Sequence, residues 1–304
     1  MEQLRHYYEK KRVLVTGGAG FIGSHLVEKL VGLGAQVTIL DNFSSGNISN
    51  LKNVIGSLNL MYADICSAYS CQRATKGQDI VFHTAAFISV PLSVQFPEFC
   101  YKVNTEGTQN MLNACVQNNI KTFIFSSSAA VYGNSNKICS ESDQLDPCSP
   151  YAISKRDGEV LCRQANEQHG IRTASLRYFN VYGERQSSTG QYAGVAAKFA
   201  HQLRMGQPLT IFGTGNQTRD FVNVAKIVDA NLIAGMHDAI SGDVFNIGSG
   251  TSISLLQLIN QLEQELNVLR TAVTFQPARE GDIDYSQANC EKFAAFAASN
   301  PPLP

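Results

Sequence analysis

The sequence lacks the features that mark several classes of protein. It contains no tryptophan, only 16% of its residues are charged, and its formal net charge is -1. No basic segment supplies the concentrated positive charge that a nucleic-acid or membrane-surface binder needs. No apolar run is long enough to cross a bilayer, and the first twelve residues lack the apolar core of a signal peptide. We therefore expect a protein that binds neither nucleic acid nor membrane.

The cysteines also lack any recognisable arrangement. There are eight of them, none forms a Cys-x-x-Cys pair, and none clusters with histidine. This distribution favours free thiols in a reducing compartment over disulfides or a zinc site. We accordingly expect no metal site and a cytoplasmic location.

The sequence does contain a regular alternation of short apolar runs and longer amphipathic segments. Runs rich in valine, isoleucine and phenylalanine predict buried parallel strands at residues 12–16, 36–40, 58–62, 79–84, 122–126 and 173–178. Between them, helices are predicted at residues 21–33, 97–118 and 151–169. This alternation predicts an α/β fold, a Rossmann-type doubly wound parallel sheet with helices on both faces.

The character of the sequence changes after about residue 183. Helices are predicted near residues 192–205, 224–236, 254–266 and 290–298, with strands at 209–212 and 272–275; Ser254 and Gln257 have the spacing of a capping box. We expect residues 1–180 to form the sheet domain, with residues 220–250 returning to it. Residues 181–304 should mainly form a smaller cap at the carboxyl ends of the strands, where such sheets bind ligands.

A glycine-rich turn lies between the first strand and the first long helix of this pattern. Gly17, Gly20 and Gly23 suit a tight turn, close approach of a pyrophosphate and close helix–strand packing. The following helix presents free N–H groups and a positive dipole end to phosphates. The sequence therefore predicts a dinucleotide site, although a plain glycine turn is the alternative.

Two aspartates follow the next strands and are candidates for contacts to the adenosine. Asp41 ends the second strand, where a carboxylate accepts hydrogen bonds from ribose hydroxyls and repels a 2′-phosphate. This position favours NAD over NADP, and a strand-end Asx turn is the alternative role. Asp64 and Ile65 follow the third strand and are expected near the adenine, although a turn aspartate is nearly as common.

The catalytic candidates are a tyrosine and a lysine on one helix. Tyr151 and Lys155 are four residues apart, so they share a helix face. An ammonium group near the phenol should lower its pKa, and a bound oxidised nicotinamide would add a second positive charge, which together make the tyrosine a general base near neutral pH. Such a pair is commonplace on ordinary helices, but the serines 126–128 at the end of a strand offer a hydroxyl partner. Together these residues predict alcohol oxidation by hydride transfer to NAD.

These motifs together resemble the extended short-chain dehydrogenase/reductase family. The matching segments run in order along nearly the whole chain: GGAGFIG at 17–23, DN at 41–42, HTAA at 83–86, SSSAAVYG at 126–133, YAISK at 151–155 and RYFNVYG at 177–183. Within the family, the sequence is most similar to nucleotide-sugar 4-epimerases, and especially to those acting on UDP-N-acetylglucosamine. The resemblance implies an enzyme with a retained NAD that inverts C4 of a UDP-sugar through a 4-keto intermediate.

The resemblance also implies roles for individual residues. It makes Tyr151 the base, Ser128 its hydroxyl partner and Lys155 a ligand of the nicotinamide ribose. It places further residues in the NAD site: Phe21, Ile22, Asn42, Ala85, Ala86 and Tyr178. On the substrate side it implies contacts from Ser89, Val90, Ser128, Asn180, Arg219, Arg279 and Ser286. It further implies a homodimer formed through the helices at 97–118 and 151–169.

A few sequence positions distinguish between the possible reactions and between the possible substrates. Similar dehydratases carry an acidic pair where Ala129 and Ala130 stand, and similar decarboxylases keep a glutamate at the second position, so the alanines favour epimerisation. Ser286 matches a gate beside the C2 substituent, where a small residue leaves room for an acetamido group. A slip of one residue would put Tyr285 there. The alternatives are a UDP-glucose or UDP-uronic acid 4-epimerase, a simple alcohol dehydrogenase, and a non-catalytic NAD-binding sensor or scaffold.

Overall fold

A computed structural model describes residues 2–188, 194–278 and 284–299. The strands are β1 Arg12–Thr16, β2 Gln36–Asp41, β3 Leu58–Tyr62, β4 Ile80–His83, β5 Thr122–Ser128, β6 Arg172–Tyr178, β7 Asn180–Tyr182, β8 Leu209–Phe212, β9 Thr218–Arg219, β10 Phe221–Asn223, β11 Asp243–Ile247, β12 Ile253–Ser254 and β13 Val273–Gln276. The helices are α1 Glu2–Tyr8, α2 Phe21–Gly32, α3 Ala68–Thr75, α4 Val90–Gln95, α5 Pro97–Tyr101, α6 Gly107–Gln117, α7 Pro150–His169, α8 Val195–Arg204, α9 Val224–Met236, α10 Leu255–Leu266 and α11 Glu291–Ala298.

The central sheet has seven parallel strands in the order β3-β2-β1-β4-β5-β6-β11. Alternate residues of each strand point to opposite faces, so each face carries its own core. In β1, Val13 and Val15 pack in one hydrophobic cluster with Leu26 of α2, while Leu14 packs in the other with Cys115 of α6. The structure therefore confirms the predicted Rossmann-type fold and adds β11 as a strand that the sequence analysis did not identify.

The later part of the chain contributes both to this sheet and to a separate cluster. Helix α9 packs beside α2, and β11 completes the sheet next to β6. A third hydrophobic cluster includes Phe199 of α8, Ile211 of β8 and Ile259 of α10. The predicted capping box is present, because Ser254 Oγ accepts the Gln257 N–H while the Gln257 side chain accepts the Ser254 N–H. The division of the chain into two domains stays a prediction.

One predicted helix differs from the structure in a way that matters for the site. The sequence suggested a continuous helix over residues 97–118, but the structure has α5, a π-helical turn at Lys102–Glu106, and then α6. A π-helical turn inserts one extra residue into the helical ladder and redirects the side chains that it carries. Nothing in the hydrophobic pattern of this segment distinguishes the turn from a regular helix.

A buried ion pair joins the long helix α7 to the sheet. Arg177 on β6 donates to both carboxylate oxygens of Glu159 on α7 at 2.8 and 2.7 Å, and their side chains are only 4% and 2% exposed. Glu159 also accepts the Ser127 hydroxyl at 2.6 Å, and Arg177 donates to the Tyr132 hydroxyl at 2.8 Å. Tyr132 in turn donates to Asn246 on β11 at 2.6 Å. We call these five residues the buried polar network.

We expect Glu159→Gln to destabilise the protein by about 3–5 kcal/mol, since it leaves the buried Arg177 charge without its partner. The matched control is Asp157→Asn on the same helix, where the partly exposed pair with Arg156 is worth about 0–1 kcal/mol. Chemical denaturation of both variants measures the difference. Equal small losses would contradict the structural importance of the buried pair.

Candidate active site

The predicted site residues follow the carboxyl ends of the parallel strands. Gly17 follows β1, Asp41 ends β2, Asp64 lies just after β3 and Ala85 just after β4. Ser128 and Tyr178 end β5 and β6. The sheet order changes direction between β1 and β4, and this kind of switch point is where open α/β sheets form a ligand crevice. Two pockets lie along this edge.

The first pocket, which we call the glycine pocket, contains most of the predicted cofactor residues. It is lined by Gly17, Gly20, Phe21, Ile22, Gly23, Leu40, Asp41, Asn42, Ser44, Ser45, Gly46, Ala63, Asp64, Ile65, Thr84, Ala85, Ala86, Ile88 and Val103. All the predicted cofactor residues named above line it except Tyr151, Lys155 and Tyr178. Residues 44–46 and Thr84 were missed, although the Ser-Ser-Gly run two residues after Asn42 was a usable signal.

The glycines of this pocket have the geometry that a phosphate-binding turn requires. Gly17 has a φ of +68°, and a Cβ on Gly23 would lie 2.2 Å from the Gly17 carbonyl oxygen. A Cβ on Gly20 would meet only that same oxygen, at 3.1 Å, so its other side is open. Gly20 precedes α2 without a side-chain cap, which leaves the first N–H groups of the helix available. These residues fit the diphosphate of a dinucleotide.

Asp41 is held in place by the backbone around it. One carboxylate oxygen accepts the Ala19 N–H at 2.9 Å, and the other accepts the Phe43 N–H at 2.8 Å. The second contact is an Asx turn, so the alternative role considered for Asp41 is present in the structure. Each oxygen keeps a further lone pair for a ligand, and the residue lines the glycine pocket. Its chemistry therefore fits a ribose as well.

Asp64 and Asn42 are joined directly within the pocket wall. The Asn42 amide donates to Asp64 at 2.8 Å, and the Cys66 N–H donates to its other oxygen at 2.8 Å. Burial alone would raise the pKa of Asp64, but these hydrogen bonds outweigh it and hold the pKa below its ordinary value. Asp64 is thus an ionised acceptor at neutral pH.

The π-helical turn supports the pocket wall after β4. Its residue Asn104 is buried and accepts the Phe87 N–H at 2.7 Å, while its amide donates to the Phe87 carbonyl at 3.0 Å. The same amide donates to the Ser154 hydroxyl on α7 at 2.9 Å. Asn104 therefore ties the segment that carries Ala85 and Ala86 to the helix that carries Tyr151. The sequence analysis did not identify this residue.

The second pocket, which we call the tyrosine pocket, contains the predicted catalytic tyrosine and most of the predicted substrate residues. It is lined by Val90, Ser128, Ala129, Ala130, Tyr132, Gly133, Ser135, Cys139, Tyr151, Tyr178, Phe179, Asn180, Arg219, Tyr285 and Ser286. None of these described residues carries a carboxylate. Across the described ranges, no group of three or more His, Cys, Asp or Glu side chains is arranged to hold a metal ion.

Tyr151 and Lys155 lie on the first turns of α7. Ser149 caps the helix by accepting the Ala152 N–H, and Pro150 occupies its first position. Lys155 Nζ donates to the Ser126 carbonyl oxygen at 2.8 Å and lies 5.8 Å from the centroid of the Tyr151 ring. The helix thus places the ammonium group under the tyrosine and against the end of β5.

The pKa values of this pair differ from the sequence-based expectation. Burial raises the pKa of Tyr151, and a hydrogen bond with Ser128 offsets that only in part. Burial also lowers the pKa of Lys155 to about 8. The direction for Tyr151 is opposite to that expected from Lys155 alone, because desolvation disfavours the charged forms of both groups.

The serines at the end of β5 have three different partners. Ser126 Oγ lies 3.1 Å from the Tyr178 hydroxyl, and Ser127 donates to Glu159. Ser128 hydrogen-bonds with Tyr151 and also accepts the Ala130 N–H at 3.2 Å. Only Ser128 lines the tyrosine pocket, so it is the hydroxyl that lies beside the tyrosine.

Tyr178 lies deeper than the sequence suggested. Its hydroxyl exchanges hydrogen bonds with Asn231 on α9, and burial raises its pKa to about 12. The residue is 7% exposed, yet it contributes to the lining of the tyrosine pocket. The Tyr178 hydroxyl therefore forms its hydrogen bonds within the core, and the ring and backbone of the residue line the pocket.

The remaining predicted substrate residues are only partly brought together. Arg219, Asn180 and Val90 line the tyrosine pocket, and both Tyr285 and Ser286 do so as well. Ser89 is buried as the N-cap of α4, where its hydroxyl accepts the Leu92 N–H at 3.3 Å, and it does not line either pocket. Arg279 lies outside the described residues.

The comparisons with known proteins agree with this geometry. The family described as "NAD dependent epimerase/dehydratase family" matches residues 13–248. A putative UDP-glucose 4-epimerase of Methanocaldococcus jannaschii is 39% identical over 274 residues, which cover 89% of this chain and 87% of the relative. A UDP-N-acetyl-alpha-D-glucosaminuronate decarboxylase of Bacillus cytotoxicus is 37% identical, covering 84% of this chain and 80% of the relative.

A similar fold is found in a solved structure of an epimerase. The UDP-N-acetylglucosamine 4-epimerase of Methanobrevibacter ruminantium, in complex with UDP-N-acetylmuramic acid, superposes with a TM-score of 0.91 at 38% identity. The match covers 97% of this chain and 94% of that structure's chain. With a family match over most of the chain and a glycine pocket fitted to a dinucleotide, this protein belongs to the NAD-dependent epimerase/dehydratase family.

Proposed function

We propose that this enzyme inverts C4 of a UDP-sugar. The observation that carries the proposal is the tyrosine pocket, in which Tyr151, Ser128 and Arg219 meet without any acidic side chain among the described lining residues. Such a pocket suits a substrate with an alcohol and a diphosphate, because the phenol of Tyr151 can accept a proton and Arg219 can bind phosphate oxygens. The neighbouring glycine pocket provides the site for the oxidant.

In this proposal the residues of α7 and β5 manage the proton of the C4 hydroxyl. Tyr151 removes the proton, Ser128 holds the same oxygen, and Lys155 binds the nicotinamide ribose and stabilises the phenolate. A bound NAD would supply the hydride acceptor and donor for C4. Proton removal and hydride transfer at C4 then take place within the same site.

The nucleotide end of the substrate is assigned to the opposite wall. We assign Arg219 and Arg279 to the diphosphate, since guanidinium groups bind phosphate oxygens in pairs. Asn180 and Tyr178 line the region between nicotinamide and UDP, and Ser89 and Val90 belong to the loop beside the sugar. Residues 181–304 then act mainly as the substrate-binding cap over the Rossmann domain of residues 1–180.

The alanines beside Ser128 favour epimerisation over the other reactions of this family. Eliminating water from a sugar requires an acid and a base in addition to the tyrosine. Ala129 and Ala130 line the tyrosine pocket and supply neither. This feature separates the proposal from dehydration, and also from decarboxylation, the reaction named for the Bacillus cytotoxicus relative.

The proposed substrate is UDP-N-acetylglucosamine. Ser286 is small, buried and part of the tyrosine pocket, so it leaves space for an acetamido group at C2. The second candidate is UDP-glucose, because Tyr285 lines the same pocket and a bulky gate would suit a C2 hydroxyl. Tyr285 donates to Gln287 at 2.6 Å, which holds its ring at the wall.

We also propose that the enzyme is a homodimer. Large apolar side chains are exposed on α4, α5 and the outer face of α7, among them Val94 at 63%, Phe99 at 54% and Val160 at 38%. Ile153 and Val160 are seven residues apart and so share one stripe of α7. We call this surface the apolar face, and a second copy would cover it.

We expect Tyr151→Phe to lower turnover by about 10²–10⁴-fold, because it removes the proton acceptor and little else. The amount of NAD that copurifies with the protein should not change. The control is Tyr69→Phe on α3, whose side chain is 68% exposed and lies outside both pockets. Proton NMR of C4 inversion measures turnover, and unchanged turnover in Tyr151→Phe would overturn the assigned role.

The substrate is tested by incubating the protein with UDP-N-acetylglucosamine or UDP-glucose without added cofactor and following C4 configuration by proton NMR. We expect the acetamido sugar to be inverted faster. Ser286→Tyr should lower that rate by about 10-fold or more through loss of space, with a smaller effect on UDP-glucose. Tyr285→Ser is the matched variant: if it alone broadens the substrate range, the gate is Tyr285. Inversion of neither sugar, even with NAD added, would argue against the proposed function.

The dimer is tested by placing charges on the apolar face. We expect the double variant Val94→Glu/Val160→Glu to elute as a monomer in light-scattering chromatography, since buried charges oppose association. The control is Leu269→Glu, 85% exposed after α10, which should stay dimeric. A monomeric wild type, or a double variant that stays dimeric, would contradict the proposal.

A further inference from the structure

Behind Arg219 lies a fully buried aspartate that no step of the proposed reaction uses. Asp220 is 0% exposed, and its carboxylate accepts four hydrogen bonds. One oxygen accepts the Ser249 N–H at 2.6 Å and the Ser249 hydroxyl at 2.7 Å. The other accepts the Gly250 N–H at 3.1 Å and the Ala288 N–H at 3.0 Å. Such charge-assisted bonds are among the strongest that a side chain makes.

These four bonds connect the loop at Ser249 and Gly250 to the segment that follows the pocket residues Tyr285 and Ser286. Ala288 lies two residues after Ser286, and the carbonyl of Ser286 accepts the Ser252 hydroxyl at 3.0 Å. Gln287, the partner of the Tyr285 hydroxyl, donates to the Gly250 carbonyl at 2.9 Å. The Asp220 carboxylate therefore holds the loop of residues 248–252 and the gate segment of residues 285–288 against each other.

The backbone of the same residue holds the opposite wall. The Asp220 carbonyl accepts the Asn180 N–H at 3.0 Å, and Asp220 directly follows Arg219. Neighbouring residues of an extended chain point to opposite sides, so Arg219 reaches the pocket while Asp220 faces the loops behind it. One residue thus connects Asn180 and Arg219 to the gate segment.

The space around the carboxylate leaves little freedom for rearrangement. A Cβ on Gly248 would lie 2.7 Å from an Asp220 carboxylate oxygen and 2.6 Å from the Ala288 side chain. Close-packed surroundings of this kind transmit a change at one residue to its neighbours. A change in the Asp220 carboxylate must therefore move the gate segment, the 248–252 loop, or both.

We propose that Asp220 is a positioning residue that sets the width of the tyrosine pocket between Arg219 and the Tyr285–Ser286 gate, and so determines which UDP-sugar is accepted. The inference rests on the proposed function, because it concerns the substrate of the same pocket. The four hydrogen bonds to the Asp220 carboxylate come from Ser249, Gly250 and Ala288 and not from Tyr151, Lys155 or Ser128, so the chemistry at C4 should depend on it only weakly.

The test is Asp220→Asn, which keeps the shape of the side chain but replaces one carboxylate oxygen with an NH2 group that faces N–H donors. We expect the KM and the Kd for UDP-N-acetylglucosamine to rise about 10-fold, a typical consequence of misplaced contacts. We expect kcat to change by less than about 3-fold, and the preference between the two UDP-sugars to shift. Ser249→Ala removes only one of the four bonds and should show a smaller change in the same direction.

The control is Asp79→Asn, a carboxylate that accepts the Arg12 N–H at the amino end of the sheet, far from either pocket. A merely structural role for Asp220 would lower the melting temperature, as we expect for this control, without changing KM or sugar preference. Calorimetric binding of both UDP-sugars is measured alongside turnover. If the wild type bound the UDP-sugars without turning them over, the epimerase proposal would be overturned. The Kd values of the variants would still decide the role of Asp220. Unchanged Kd and preference in both Asp220→Asn and Ser249→Ala would overturn this inference.

Discussion

The geometry of the site depends on the buried pair of Arg177 and Glu159. A guanidinium and a carboxylate withdrawn from water are stable only while each satisfies the other, so the pair allows a single placement of α7 on the sheet. Helix α7 carries Tyr151 and Lys155, and β5 carries Ser128. Through Ser127 the same pair also holds β5. The relative positions of all three reactive groups therefore follow from one interaction that touches none of them.

Burial has a second effect in this region, on the charges of the reactive groups. It raises the pKa of Tyr151 and lowers that of Lys155 to about 8, which favours the neutral form of each. A positively charged nicotinamide in the crevice would favour the phenolate, so proton removal and hydride acceptance become linked events. Such a linkage would suit the proposed reaction, in which the hydride returns to C4 and the proton to the oxygen that C4 carries.

The features that the sequence predicts correctly are those in which the local sequence pattern agrees with the overall fold. The glycine turn was identified because strand, turn and helix follow each other within the 12 residues of Arg12–Gly23, and Tyr151 with Lys155 because helical spacing is regular. The π-helical turn with Asn104 was missed because it has no distinctive hydrophobic period. Strand β11 and the hydrogen bonds to the Asp220 carboxylate depend on contacts between residues more than 28 positions apart. No local sequence pattern encodes such contacts. The raised pKa of Tyr151 was not predicted, because its cause is burial, which depends on the whole fold.

The anchoring of Asp41 has a consequence for how the cofactor is bound. Its two oxygens are fixed by the N–H groups of Ala19 and Phe43, both in loops that form with the fold itself. The side chain therefore loses its rotational freedom during folding and not when a ribose arrives. Preorganisation of this kind makes association less costly in entropy. A ribose held by this carboxylate would therefore lose less affinity to the ordering of the side chain, which favours a dinucleotide that stays bound.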